Sequence, residues 1–245
     1  ARGKDFESAC RVFEMYKLNG LAPDVFAYAG IISAAGKAGK LNDASALLRR
    51  AVSDLGDTCD VGVYNAFIDA CARVGDVTQA QSTCTQMRQR NSKICAPNTR
   101  TYNSIITAAA RARDFSAAKT ALHELELDQI LEPTDVTFGA ALAAAATSEP
   151  SSANIQWAID TYDRFTRLDT TKWHGNNHAA SSLLTVLARG VAAKEWPAEE
   201  AVRRAGETTG ALVACFATAT PKKTPNAAVW SAHMSVCARA GRARE

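Results

Sequence analysis

The 245-residue sequence predicts an all-α, right-handed α-solenoid built from stacked helix–turn–helix units. Two observations predict it. The chain repeats itself: Tyr28, Tyr64, Tyr102 and Phe138 stand 36, 38 and 36 residues apart. The three tyrosines are each followed by an apolar pair (Ile31/Ile32, Phe67/Ile68, Ile105/Ile106), a cation nine places on (Lys37, Arg73, Arg111) and an alanine sixteen places on (Ala44, Ala80, Ala118). Self-similarity at a period of roughly 20–50 residues is the signature of stacked-repeat architectures. Conversely, no window sustains an apolar/polar alternation with turn punctuation, so no sheet is predicted.

Taken in chain order, residues 1–24 read as the second helix of a truncated repeat, since Phe6 to Asp24 has helical periodicity and nothing to pair with before it. Three regular repeats follow, at 25–60, 61–98 and 99–134. In 61–98, Val63, Phe67, Ile68 and Cys71 recur at helical spacing and form one apolar face. Gly75-Asp76 breaks that helix, glycine supplying a left-handed cap and aspartate opening the next. Ala80, Cys84 and Met87 continue the second helix, and Ala96-Pro97-Asn98 closes the unit because proline cannot extend it. Neither helix can bury its face alone, so the hairpins must stack.

Residues 135–176 are a degenerate repeat, opened by Phe138 and carrying a longer turn at Thr147 to Ser152 before a second helix over Ile155 to Leu168. Residues 177–226 form an expanded degenerate repeat, opened by the segment Ala180 to Thr185, with extra length expected at Lys194 to Ala198 and Thr218 to Asn226. Residues 227–245 read as the first helix of a truncated repeat, with Trp230 in the aromatic place and Arg239 nine residues on. A chain that opens and closes mid-repeat is expected to be a piece, or the ordered part, of a longer protein.

Composition narrows the function classes. With 47% hydrophobic and 22% charged residues and a net charge of +3, the chain reads as an ordinary globular protein with only a mild basic bias. The longest uncharged runs, Val136 to Ser148 and Thr208 to Pro221, fall short of the ~20 residues a membrane span requires, so no membrane insertion is expected. Seven cysteines without a Cys-x-x-Cys pair, three of them (Cys71, Cys84, Cys237) on helical faces, point to a reduced compartment rather than a disulfide scaffold. His174 and His178 have a metal-like spacing, but Gly175-Asn176-Asn177 separates them and no cysteine joins them at zinc spacing, so no metal and no cofactor is expected. Asp160/Asp163 and Glu199/Glu200 read as solvated helix faces. No Gly-rich phosphate loop, Gly-x-Ser-x-Gly or His-Glu-x-x-His motif is present, and no catalytic residue or enzymatic activity is expected.

The segments Val61-Gly62-Val63-Tyr64-Asn65-Ala66-Phe67-Ile68 and Thr101-Tyr102-Asn103-Ser104-Ile105-Ile106 resemble the opening of a pentatricopeptide repeat. Ala22-Pro23-Asp24, Ala96-Pro97-Asn98 and Thr224-Pro225-Asn226 resemble that family's repeat ends. The resemblance covers almost the whole chain, strongly over Val25 to Thr134 and more weakly to Asn226. It implies modular recognition of single-stranded RNA, organelle mRNA or rRNA, in the mitochondrial matrix or chloroplast stroma, with one base per repeat. It further implies that each base is read by the residue after the aromatic position and the last residue of the repeat. Carried over, the pairs are Ala29 with Asp60, Asn65 with Asn98, Asn103 with Thr134, Gly139 with Asn176, and Ser181 with Asn226, and Ser231 opens the last, truncated repeat. In the family, Asn with Asn or Thr leans to pyrimidine and Ser with Asn to adenine, whereas Ala29 and Gly139 depart from the pattern. The residue three before each reader sandwiches the base in the family, a role that Phe26 and Val136 suit; Gly62 and Arg100 fit it poorly, although Arg100 can stack through its guanidinium plane.

One column follows from geometry as well. Lys37, Arg73, Arg111, Arg189 and Arg239 all stand nine residues after the aromatic position, and Thr147 is the exception. Each lies eight residues from its repeat's reader, about 80° around a helix, so the two share a broad face. A row of cations suits a phosphate backbone; cations are also favoured at any helix C-terminus by the dipole. Tyr28, Tyr64, Tyr102 and Trp230 share the offset of the apolar face and are expected in the core. A second functional reading stands beside the first: a structural subunit of a large ribonucleoprotein such as an organelle ribosome, contacting ribosomal or other ribonucleoprotein proteins. The degraded readers Ala29 and Gly139 and the stretched repeats favour it.

Overall fold

The structure, a computed structural model, describes residues 2–90, 92–128, 130–168, 176–218 and 224–241. Among them are twelve α-helices and no strand: α1 (Arg2–Leu18), α2 (Val25–Lys37), α3 (Leu41–Leu55), α4 (Val61–Val74), α5 (Val77–Gln89), α6 (Thr99–Ala112), α7 (Phe115–Leu127), α8 (Asp135–Thr147), α9 (Ser152–Leu168), α10 (Asn177–Ala192), α11 (Ala198–Thr218) and α12 (Ala227–Arg239). The fold is an all-α solenoid. It divides into two units, Ala1–Glu132 and Pro133–Glu245. In the first, α2, α4 and α6 pack side by side as one layer, with α1, α3, α5 and α7 as the other; α3 packs on both α2 and α4, and α5 on both α4 and α6. In the second, α8, α10 and α12 form the first layer and α9 and α11 bridge them in the same way.

The repeated sequence offsets become core layers. Ile32, Ile68 and Ile106 are fully buried, as are Ala44, Ala80 and Ala118, whose small side chains let the second helices approach. Gly36 marks a close helix approach: a Cβ there would lie 2.5 Å from the Cβ of Ala70, so α2 and α4 meet at this separation only with glycine. Tyr28, Tyr64 and Tyr102 are buried as expected, and each phenol reaches a charged group. The Tyr28 hydroxyl donates to Asp54, while Arg90 donates to the Tyr64 oxygen at 3.4 Å and Arg88 to that of Tyr102 at 2.6 Å. Such partners remove the cost of burying a phenolic oxygen. Burial, with the Asp54 bond, pushes the Tyr28 phenol up to about 12. Burial likewise pushes the Cys71 thiol up to about 12 and that of Cys84 to about 11, so both stay protonated and act as apolar filler. In the second unit Phe138 and Phe165 pack with ring centroids 5.1 Å apart.

The hairpin turns follow one rule with one exception. Gly39, Gly75 and Gly241 stand at the same offset and take φ of +74°, +80° and +75°, the left-handed region. Arg113 occupies the same offset at φ +58°, as the C-cap of α6. A left-handed conformation costs an L-residue roughly 1–2 kcal/mol, against about 0.5–1 kcal/mol of extra chain entropy for glycine. Arg113→Gly is therefore expected to stabilise the protein by up to about 1 kcal/mol, measured by urea denaturation.

Two expectations are corrected. Trp230, expected in the core, is 44% exposed, because α12 packs on α10 and α11 and no described helix covers its other face. The extra length of residues 177–226 does not lie only in connections. α11 runs for 21 residues against 13 to 17 for the other second helices, because its alanine-rich segment has no break before Thr218. His174 lies outside the described residues. No described helix is long and apolar enough to cross a membrane.

Candidate nucleic-acid interface

The last residue of each repeat has a definite local duty: it caps the first helix of the next. Asp60 accepts from the backbone N–H groups of Gly62 and Val63, at 2.9 and 3.2 Å, and Asn98 from that of Thr101 at 3.1 Å. Thr134 accepts from Thr137 N–H, Asn176 from His178 and Ala179, and Asn226 from Val229. Asp24 does the same for Ala27. The short polar residue that the family reads as a base contact is thus required by helix capping in its own right. Capping uses the side-chain oxygen. What an asparagine cap retains for other partners is its amide N–H.

The expected reader of each repeat sits one turn into the first helix. Asn65 on α4 is 4% exposed, and its Nδ2 donates to Asn98 Oδ1 at 3.2 Å, so these two residues, 33 apart in sequence, meet. The Asn65 Oδ1 in turn accepts from the Thr101 hydroxyl at 2.7 Å. Ala29 lies half-buried on α2 and Asp60 caps α4, giving that place a carboxylate and no reader side chain. Asn103 is half-buried on α6, and Thr134 caps α8 in the second unit. Gly139 on α8 is buried because neighbours fill its place: a Cβ there would lie 3.2 Å from His178 Cδ2 and 3.6 Å from Asn176 Nδ2. Asn176 Nδ2 itself donates to the Asp135 carbonyl at 3.1 Å. Ser181 on α10 turns back to its own helix, donating to the His178 carbonyl at 3.0 Å, while Asn226 and Ser231 are exposed on and before α12.

Of the expected sandwiching residues, Phe26 is 82% exposed and Val136 58%, both unusually open for their type. Arg100 is exposed but ion-paired with Asp69 at 2.6 Å, and Asp69 also accepts from Ser104. The same offset on α10, three residues before Ser181, carries His178, which is exposed at the helix start; its spacing from His174 drew attention to metal binding instead of to this place. The cations stand in the last turn of their helices, Lys37, Arg73 and Arg111 on the adjacent α2, α4 and α6, Arg189 and Arg239 on the adjacent α10 and α12. Lys37, Arg73, Arg111 and Arg239 are exposed. Arg111 donates to the Arg73 carbonyl at 3.2 Å, and Arg189 to the Ala146 carbonyl, so both also satisfy orphan carbonyls at the end of the preceding first helix. Reader and cation are eight residues apart, about 12 Å along each helix.

Residues 60–111 match the PPR repeat family and residues 95–146 the pentatricopeptide repeat domain. A putative pentatricopeptide repeat-containing protein of Arabidopsis thaliana is 25% identical over 121 residues, which is 49% of this chain and 27% of that protein. A chloroplastic pentatricopeptide repeat-containing protein of the same plant is 25% identical over 162 residues, 66% of this chain and 30% of that protein. The chain thus spans less than a third of the length of these curated relatives. The crystal structure of the pentatricopeptide repeat protein PPR10 from maize shares the fold, with a TM-score of 0.51 at 19% identity over 99% of this chain and 36% of that one. With its capped, regularly offset helical hairpins and these sequence matches, the chain carries pentatricopeptide repeats over residues 60–146.

Proposed function

We propose that this chain is a single-stranded RNA-binding module of an organelle, taking one base per repeat and acting in the stability, processing or translation of an organelle transcript. The observation that carries the reading is the convergence of Asn65 and Asn98. Two polar side chains from opposite ends of one repeat meet, and the helix that carries Asn65 bears an exposed cation, Arg73, at its far end. Exposed Phe26 and Val136 add apolar surface on which bases can stack. The pentatricopeptide repeat matches and the chloroplastic relative support an organelle location, in matrix or stroma. The reading is of a binding protein, with no catalytic residue assigned. If the repeats run with the strand, first repeat toward the 5′ end, the readable pairs specify pyrimidine, pyrimidine, one unspecified base and then adenine.

The rival reading, a structural subunit of a ribonucleoprotein such as an organelle ribosome, has two observations in its favour. The reading place of Gly139 is closed by His178 and Asn176, and Arg111 and Arg189 have carbonyl partners. Sedimentation of the native protein separates the two: a small RNA complex supports the first, and co-migration with ribosomal subunits the second. Salt dependence tests the cation row. Four or five phosphate contacts on a single strand give log affinity against log salt a slope of about −3 to −3.5. Arg73→Gln with Arg111→Gln is expected to flatten it by about 1 to 1.5 and leave base preference unchanged. An unchanged slope would make both arginines helix-end residues only.

A further inference from the structure

We infer that Thr101 is a positioning residue for base selection: its hydroxyl locks the Asn65 and Asn98 amides so that the pair offers only hydrogen-bond donors to a base. The inference rests on the RNA-binding reading above and adds a specificity-determining residue to it. Thr101 is fully buried, at the third place of α6, and belongs to the repeat after the one whose base it would influence.

The polarity of the cluster is set by two backbone groups that can only donate. Thr101 N–H points at the Asn98 side chain at 3.1 Å, so the atom it meets is the oxygen. That oxygen also faces the Asn65 amide at 3.2 Å, so Asn65 must present nitrogen to it. The Asn65 oxygen is then turned to Thr101 Oγ1 at 2.7 Å, and the hydroxyl must donate, to Asn65 Oδ1 at that distance with Asn98 Oδ1 a longer second acceptor at 3.2 Å. The hydroxyl is free to do so because it accepts from Asn98 N–H at 3.0 Å. Every link follows from the one before, and the alternative amide orientations would oppose two donors or two acceptors. Both lone pairs of Asn98 Oδ1 are committed. Two N–H of Asn98, which is half-buried, and one of Asn65 remain.

A donor-only face suits the acceptor-bearing edge of a pyrimidine, O2 and N3 of cytosine or the carbonyls of uracil. It opposes the amino group of adenine, donor against donor. The sequence carries a matching pattern. Threonine holds this place after the amide readers, Thr101 after Asn65 and Thr137 after Asn103. After readers without an amide the place is apolar: Val63 after Ala29, Ala179 after Gly139 and Val229 after Ser181. Helix capping alone would not sort threonine in this way, since Val63, Ala179 and Val229 follow capped starts as well.

The test uses an RNA selected by the wild-type protein from a random pool, with each nucleotide then varied in turn. Thr101→Val is expected to lower pyrimidine-over-adenine preference at the Asn65 nucleotide about tenfold, with preference at the Asn103 nucleotide unchanged. Thr101→Ser, which keeps the hydroxyl, should retain the preference. In an Asn65→Ala background Thr101→Val should change nothing further, because the Asn65 amide that the hydroxyl orients is gone and Asn98 is still held by the Thr101 backbone N–H. Should the valine variant fail to fold, as judged by circular dichroism, Thr101→Cys replaces it. Wild-type discrimination in Thr101→Val, equal loss at every nucleotide, or loss in Thr101→Ser would each overturn the lock while leaving RNA binding intact. A wild-type protein that enriches no RNA would overturn the RNA-binding reading itself.

Discussion

Asn98→Asp is expected to move the base chosen at the Asn65 nucleotide toward uridine by about ten- to a hundredfold, the equivalent of roughly 1–3 kcal/mol for a polar group left unpaired. One oxygen of the new carboxylate takes over the present duties of Oδ1, accepting from Thr101 N–H and the Asn65 amide. The other replaces Nδ2, so the outward atom changes from donor to acceptor. Uridine offers the N3–H that such an acceptor requires, and cytosine offers none. The substitution should not weaken the fold, because aspartate caps as well as asparagine and its charge suits a helix N-terminus. Asp60 already holds the equivalent place before α4 and accepts from two backbone N–H groups there. Binding to a panel of RNAs differing at this nucleotide reads the result, with the adenine preference of the Ser181 repeat as the internal control. No response to the substitution would leave Asn98 as a helix cap alone and promote the structural-subunit reading.

The largest expected effect on stability comes from the second unit. Phe138→Ala removes a ring that is 1% exposed and packed on Phe165 at a centroid distance of 5.1 Å, and should cost about 3–5 kcal/mol. Repeat arrays are stabilised by nearest-neighbour interfaces, so the loss should be local. Hydrogen exchange is the suitable measurement: protection should fall through α8, α9 and α10 and persist in α2 and α4. A uniform loss across both units would show that the chain unfolds as one cooperative body.

The solenoid was legible in the sequence because its rules are local and recur. Gly75-Asp76 stops one helix and starts another by backbone conformation and capping alone. The offsets of Tyr64, Ile68 and Ala80 place them on apolar faces whatever lies opposite, and all three are buried. The register of the cations was legible for the same reason, since Lys37, Arg73 and Arg111 need only helical geometry to share a helix end. Other features depended on groups distant in sequence. Trp230 has the offset of a core aromatic, yet it is half exposed because burial requires a neighbour on both sides of α12. Gly139 departs from the family's reader pattern, but that His178 and Asn176, about 40 residues on, occupy the space beside it is decided by packing. Periodicity placed Asn65, Asn98 and Thr101 in their repeats and said nothing of the chain of hydrogen bonds joining them. That chain depends on which atom of the Asn65 amide, on α4, faces Asn98 and which faces Thr101 at the start of α6. Hydrophobic pattern and capping therefore determined the fold from sequence alone, whereas the direction of each polar group was decided only when packing brought the repeats together.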